Sequence, residues 1–334
     1  EYPAKIPSIS ASFPTPSAQS RSKSSFFASI VQPPFCVDYI TLWTAYSNIS
    51  GRVTGTQLFH NARWDRKAYI INQRGKFEYT EDGFSLDRWG MSNCTTLILD
   101  RGVKIISNLG KHAYWGQAME GYWLLEHQVT CSVFCADGTL FTWTIYLKTP
   151  NPFPTSKTCI YHKYCGRINL EIWILPSNQS ILFQFNIGEN ETAEILALKN
   201  EPGPISTLCR KDAAGNWVLN DPPPDYGLEL LKCQRYLKKI CFSELISARF
   251  GDTVMASLSL QSPMRETPTI LNSEIFGIYD NSGNHIGGTI NTAYTGANNG
   301  ILAVGLHVPS GQNAMTYGIT IRSGGDFVFV SSEL

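Results

Sequence analysis

Charge is scarce in this sequence. Asp, Glu, Lys and Arg make up 16% of its 334 residues, against roughly 25% in an ordinary globular chain. Neither sign is in excess, since 27 basic side chains face 27 acidic ones. With no basic surplus the chain has no electrostatic hold on a phosphate backbone or an anionic bilayer, so neither nucleic-acid binding nor membrane attachment is expected. Long apolar runs are missing too, none approaching the roughly 18 residues that span a bilayer. The chain opens on Glu1 without an apolar leader core, the expectation for a fragment or a processed product.

The short motifs that announce catalysis are also missing: GxSxG, HExxH, the P-loop and the Gly-rich dinucleotide fingerprint. No CxxC pair occurs among the nine cysteines, at 36, 94, 131, 135, 159, 165, 209, 233 and 241. Several lie in apolar strand-like runs, where a thiol acts as a small hydrophobe. A chain this long needs no disulfide staples, so they read as reduced thiols of a protein assembled in a cytoplasm. Zinc is the rival reading. His127, Cys131 and Cys135 share one face of a strand, but their ends lie roughly 26 Å apart at about 3.3 Å per residue, too far for one ion. A site using Cys159, His162, Cys165 and one remote ligand stays open; no metal or cofactor is assigned. No nucleophile motif surrounds any Cys, although His112, His127 and His162 are available as bases. Glycan hydrolysis needs two carboxylates about 5–10 Å apart, and no local pattern pairs Glu120, Glu126, Asp137, Glu171, Glu189, Glu191 or Glu194. The expectation is a protein that is not an enzyme.

Aromatic side chains are abundant at 12%, and hydrophobic residues reach 43%, enough for large cores beneath a neutral, amide- and hydroxyl-rich surface. Residues 1–36 are a Ser/Pro-rich stretch without hydrophobic periodicity, read as an extended arm. From residue 37 short β-like runs alternate with turn signals: 39–43, 67–75, 95–107, 127–135, 140–147, 169–175 and 181–187. Val129, Cys131, Val133 and Cys135 fall on one face and Gln128, Thr130, Ser132 and Phe134 on the other. The fold class expected is all-β: a jelly-roll-like β-sandwich over 37–224, one short connecting α-helix over 225–242, and a second, smaller C-terminal β-domain over 243–334. The helix follows DPPP, with Asp225 as N-cap, Glu229 in the first turn and a basic stripe of Lys232, Arg235 and Lys239.

Several short motifs occur in a fixed order: INQRG at 71–75, SLDRW at 85–89, GVKIISN at 102–108, ILALKNEPGPIST at 195–207, LELLKCQRY at 228–236, PMRETPT at 263–269 and VSSEL at 330–334. In that order they resemble the tail-fibre or tail-tip, receptor-binding proteins of bacteriophages and prophages. The resemblance covers about four-fifths of the chain; KDAAGNWVLNDPPP at 211–224 carries extra residues, and 37–66 match nothing. It implies a virion tail component assembled in the bacterial cytoplasm, a homotrimer, joined to other tail proteins through the N-terminal arm and binding a host surface glycan or protein. Gln234, Arg235 and Tyr236 then read as a bracing segment, and Met264 and Arg265 as a rigid corner in which Arg265 ties to a neighbouring carboxylate or carbonyl.

A sugar is held by a flat ring with amide and hydroxyl donors around it. Trp123, Trp217, Tyr294 and Asn298 sit in polar, loop-like contexts and are the candidate ligand residues, whereas Trp143 and Trp173, within strands, are expected in the core. Two other readings stand beside the adhesin: an architectural tail or capsid-decoration protein, and a glycan-cleaving tail spike.

Overall fold

The computed structural model describes residues 57–241, 247–250, 253–260, 264–265, 268–271, 276–279, 285–287, 289–296, 301–307, 318–321 and 327–332. The arm at 1–36 and the run at 39–43 lie outside them. The sandwich strands are β1 (Glu78–Tyr79), β2 (Gly83–Phe84), β3 (Gly90–Ser92), β4 (Cys94–Ile98), β5 (Val103–Ser107) and β6 (Ala113–Glu120), followed by β7 (Gln128–Cys135), β8 (Leu140–Tyr146), β9 (Thr158–Lys163), β10 (Ile168–Leu175), β11 (Ser180–Ile187) and β12 (Thr192–Pro202). They form two six-stranded sheets, the first in the order β1-β4-β5-β12-β7-β8 and the second in the order β2-β3-β6-β11-β10-β9.

The expected all-β sandwich is what the chain forms. Its jelly-roll character lies in one ribbon: β3-β4, β5-β6 and β11-β12 each cross between sheets while keeping the same neighbours. The corners are locked to one another. Asn108 donates its N–H to the Asn93 carbonyl at 2.9 Å, and Ser107 donates to Glu191 at 3.1 Å. Gly110 donates to the Asn190 side chain at 3.2 Å. Asn93 and Asn190 adopt positive φ, 56° and 60°, which Asn tolerates better than most side chains.

The alternation in β7 appears as expected. Val129, Cys131, Val133 and Cys135 are fully buried between the sheets, while Phe134 joins a second cluster outside the first sheet with Leu196, Ala197, Leu208 and Cys209. The centre of the sandwich is aromatic. Trp89 and Trp115 stack at 4.2 Å with planes 10° apart, and Trp64 meets both edge-on at 5.4 and 5.2 Å. All three are essentially inaccessible. Seven cysteines among the described residues are free thiols, five of them buried.

After the sandwich, the hairpin of β13 (Cys209–Lys211) and β14 (Trp217–Leu219) covers Phe134 and Leu196 on the outside of the first sheet. Helix α1 (Tyr226–Gln234) follows, capped by Asp225, whose carboxylate accepts the Leu228 N–H at 3.0 Å. The chain then forms β15 (Leu237–Cys241), β16 (Ser247–Phe250), β17 (Thr253–Ser259), β18 (Thr269–Ile270), β19 (Phe276–Tyr279), β20 (His285–Gly287), β21 (Thr289–Gly296), β22 (Ile301–His307), β23 (Gly318–Ile321) and β24 (Phe327–Ser331). These build three small sheets, β15-β24-β18, β16-β17-β22-β21 and β20-β19-β23. No described helix is long and apolar enough to cross a membrane.

Two expectations are corrected. The helix stops at Gln234 instead of reaching 242, because Leu237–Cys241 pairs along its length with Phe327–Ser331; a partner strand distant in sequence outweighs local helical spacing. Residues 67–75 are not a strand. Lys67–Tyr69 is one 3-10 turn, and Ile71 and Gln73 are held by side chains, their N–H groups donating to Asn61 at 2.8 Å and Asp87 at 3.0 Å.

Replacing Trp115 by Ala removes the stacked ring from a centre with no solvent access. It should lower the unfolding free energy by about 3–5 kcal/mol, read as a fall in the denaturant midpoint at an unchanged slope. A loss below about 1 kcal/mol would show that the tryptophan stack does not carry the core.

Candidate functional site

Two constellations emerge from the fold, a joint and a groove. The joint gathers motifs spread over 260 positions of the 334-residue sequence. Tyr236 is buried just after α1, with the Arg88 guanidinium 3.4 Å from its ring centroid. Its hydroxyl donates to Glu120, and Arg235 lies 3.5 Å from the same carboxylate. Burial, reinforced by Glu120 and opposed by Arg88, pushes the Tyr236 phenol up to about 12, so it remains a donor. On the sandwich side, the Gln73 amide reaches the Leu237 carbonyl at 2.8 Å. On the other side, Ser332 donates its N–H to Tyr236 at 2.6 Å and Arg265 donates its N–H to Arg235 at 2.8 Å. Arg265 Nε lies 3.4 Å from the Ser332 carbonyl, Met264 is buried, and Gln234 closes the helix. These contacts tie the residues on either side of Tyr236 to one another.

The groove lies on the outward face of the second sheet. Strand register aligns Phe84, Gly90, Gly116, Gln184, Glu171 and His162 in one row across six strands. Directly opposed residues share a face. The row on one side holds Ser92, Tyr114, Asn186 and Asn169, and the row on the other holds Ala118, Leu182 and Trp173. Two adjacent glycines therefore leave a hollow in the middle of the sheet, about 270 Å³, with Phe84, Tyr114, Leu182, Gln184 and Arg88 around it. Gly116 cannot be anything else. A Cβ there would stand 2.5 Å from the Phe183 carbonyl, whereas one on Gly90 would meet nothing nearer than 3.8 Å.

Polar groups along the groove are held in place. Gln184 donates to Glu171 at 2.9 Å and to Asn186 at 3.1 Å. Trp173 Nε1 donates to the same Glu171 oxygen at 3.0 Å, and the exposed Lys157 ammonium rests 4.6 Å from the Trp173 ring centroid. Trp173 is thus half-buried on the outer face, not in the core as expected. Its neighbours in sequence, Ile172 and Ile174, take the inward positions. Trp143 is in the core.

The ligand candidates expected from sequence that the structure describes fall on separate elements. Trp123 is exposed in the turn after β6, and Trp217 is exposed in the β13–β14 hairpin with Lys211 5.2 Å from its ring. Tyr294 lies within β21 opposite Ala303 instead of in a loop; alternating Thr, Ile and Tyr outweigh the surrounding Gly and Asn. Asn298 lies outside the described residues. Cys159, His162 and Cys165 form no metal cluster: among the described residues no three ligating side chains converge. The groove was missed because its residues come from six strands and meet only through register. No family model, curated protein or solved structure matches this chain.

The joint also contains a pH-sensitive group. His60 faces the Tyr236 ring at 6.2 Å, and its Nδ1 is sealed from solvent without a hydrogen-bond partner. Burial first, then Arg88, Lys232 and Arg235, lower its pKa from 6.5 to about 3. A histidine depressed in the folded state binds its proton more readily when unfolded. Its contribution is therefore complete above pH 6.5 and is lost as pH falls from 6.5 toward 3. Between pH 7 and pH 5 the chain should lose roughly 1–2 kcal/mol through this residue. His60→Phe, which keeps a ring in place, should flatten that part of a stability-versus-pH curve; an unchanged slope would assign it to other groups.

Proposed function

We propose that this protein is a non-enzymatic adhesin that lays a neutral host-surface glycan along the outward face of the second sheet, as part of the phage tail tip its motif order resembles. The observation that carries the reading is the registered row Phe84–Gly90–Gly116–Gln184–Glu171. A sugar ring needs a flat apolar surface beneath it and fixed hydrogen-bonding groups at its edge. The glycine floor admits a ring, Phe84 and Tyr114 flank it, and the Gln184 amide, already oriented by its hydrogen bond to Glu171 on the next strand, lines its edge. With formal charge balanced, the surface favours a neutral ligand over a polyanion. Individual sites of this shallow kind are weak. A homotrimer, attached to the rest of a tail through its N-terminal arm, would multiply them by avidity.

Glycan cleavage fits the groove poorly. Glu120 and Glu171 face the same side of the sheet, two strands and four residues apart. At the spacings of a sheet this separates their backbones by about 16 Å, so only side chains extended toward each other would bring the carboxyls to the roughly 5–10 Å that glycosidases use. Glu120 is also engaged by Tyr236 and Arg235.

The test is binding of the purified chain to host cells and their extracted wall glycans. Gly90→Leu should fold normally, because its Cβ has room, yet fill the hollow and abolish binding. Trp173→Ala should weaken binding about tenfold, the scale of one aromatic contact, while Trp217→Ala leaves it unchanged. Binding that survives Gly90→Leu places the ligand elsewhere. Released oligosaccharides make the chain an enzyme, and no binding to any true host cell favours the architectural reading.

A further inference from the structure

The outward face of the first sheet carries a charged cluster that neither groove nor joint uses. Beyond Leu198, β12 turns Lys199 and Glu201 away from the sandwich core and under the segment that leads into and out of the β13–β14 hairpin. Lys199 has no solvent access and Glu201 has 1%. The Lys199 ammonium lies 2.7 Å from Asp221 Oδ1 and also 2.7 Å from Oδ2. With both oxygens at that distance, the carboxyl carbon is within roughly 3 Å of the nitrogen, the distance that attack requires once the Asp221 carboxyl turns its face to the amine. Glu201 stands 3.6 Å from the same nitrogen. Thr207 holds it there, donating its N–H at 2.6 Å and its hydroxyl at 2.5 Å.

We propose that Lys199 and Asp221 join through an intramolecular isopeptide bond, formed by loss of water with Glu201 as proton shuttle, that fastens the hairpin segment to the first sheet. In the first step the Lys199 ammonium, which has no solvent access, passes a proton to the Asp221 carboxylate it touches. The neutral amine attacks the carboxyl carbon. Its lone pair becomes the C–N bond, and the C=O π pair moves to oxygen. Protonated Glu201 gives its proton to the hydroxyl, which leaves as water when the C–O bond breaks. The Glu201 carboxylate then takes a proton from the nitrogen, the amide forms, and the shuttle is restored. Burial raises the Glu201 carboxyl, against the opposing pull of Lys199, the direction a proton donor requires. Asp221 also borders a cavity of about 270 Å³ with Arg63, Tyr69 and Glu229, into which the water can depart. No oxidant or cofactor is needed.

Intact mass measurement on the denatured full chain is the direct test. The wild type should be lighter than its sequence by one water, and proteolysis should yield a branched peptide joining the Lys199 and Asp221 segments. Asp221→Asn should lose one ammonia instead, a signature that dehydration elsewhere would not give. Glu201→Gln should fold, by near-UV circular dichroism, and keep its full mass. A natively folded wild type with the full sequence mass overturns the bond. Water loss without the branched peptide overturns it as well, and cross-linking that persists in Glu201→Gln overturns the shuttle.

Discussion

Four consecutive side chains, Leu86 to Trp89, hold the described structure together. They close the tight turn between β2 and β3, where Trp89 donates its N–H to Leu86 at 3.0 Å and Ser85 donates to Trp89 at 2.9 Å. Each points somewhere different, and none is more than 3% exposed. Leu86 enters the core. Asp87 accepts both the backbone and side-chain N–H groups of Gln73, fixing a segment without regular structure. Arg88 donates to the Ala118 carbonyl on β6, lies over Tyr236 and borders the groove. Trp89 stacks in the centre. The turn meets this demand with a left-handed backbone at Arg88, φ 75°, a conformation that costs of order 1–3 kcal/mol and persists only where the surroundings enforce it.

The same turn explains why some of the architecture was legible in sequence and some was not. Where one local pattern met one local environment, the reading held. β7 buries its alternate residues, and TTLILDRGVKIIS forms a hairpin around Asp100–Gly102. The Asp225 cap is where its residue type predicts. Elsewhere the deciding partner was distant. Helical spacing persists past Gln234, but Phe327–Ser331 offers a full ladder of hydrogen bonds to Leu237–Cys241. Trp173 has the apolar flanks of a core residue, yet the strict two-residue period gives those inward positions to Ile172 and Ile174. The ordered motifs could be seen as a series; that they meet around Tyr236 depends on contacts spanning up to 164 positions.

The scarcity of charge takes on a second meaning beside the buried groups. Asp87, Arg88, Lys199 and Glu201 are all nearly inaccessible, a large commitment for a sequence with so few ionisable side chains. Buried ion pairs seldom add much net stability, because desolvation offsets their attraction, but leaving one unmatched is severe. Each therefore acts as a condition on assembly. Asp87 admits only the Gln73 segment in its place, Arg88 only a ring such as Tyr236, and Lys199 only the Asp221 side of the hairpin. Apolar residues could fill the same volumes in many registers. The charged groups narrow that choice, because a misplaced pairing would leave a buried charge unmatched.

The proposed glycan site on the sheet face would gain from that rigidity. Affinity for a flexible oligosaccharide is limited by the cost of ordering both partners, and a platform already ordered removes the protein's share. Here the floor is backbone, held by a strand neighbour on either side, and Gly116 sits so close to Phe183 that no side chain can intrude. The polar edge is fixed by hydrogen bonds among Gln184, Asn186 and Glu171 before any ligand arrives. Arg88 belongs to both the rim and the joint, so the hollow is set by the same contact that seats Tyr236. A platform built in this way keeps its shape under load, which is the physical requirement that the proposed anchoring through many weak contacts would place on it.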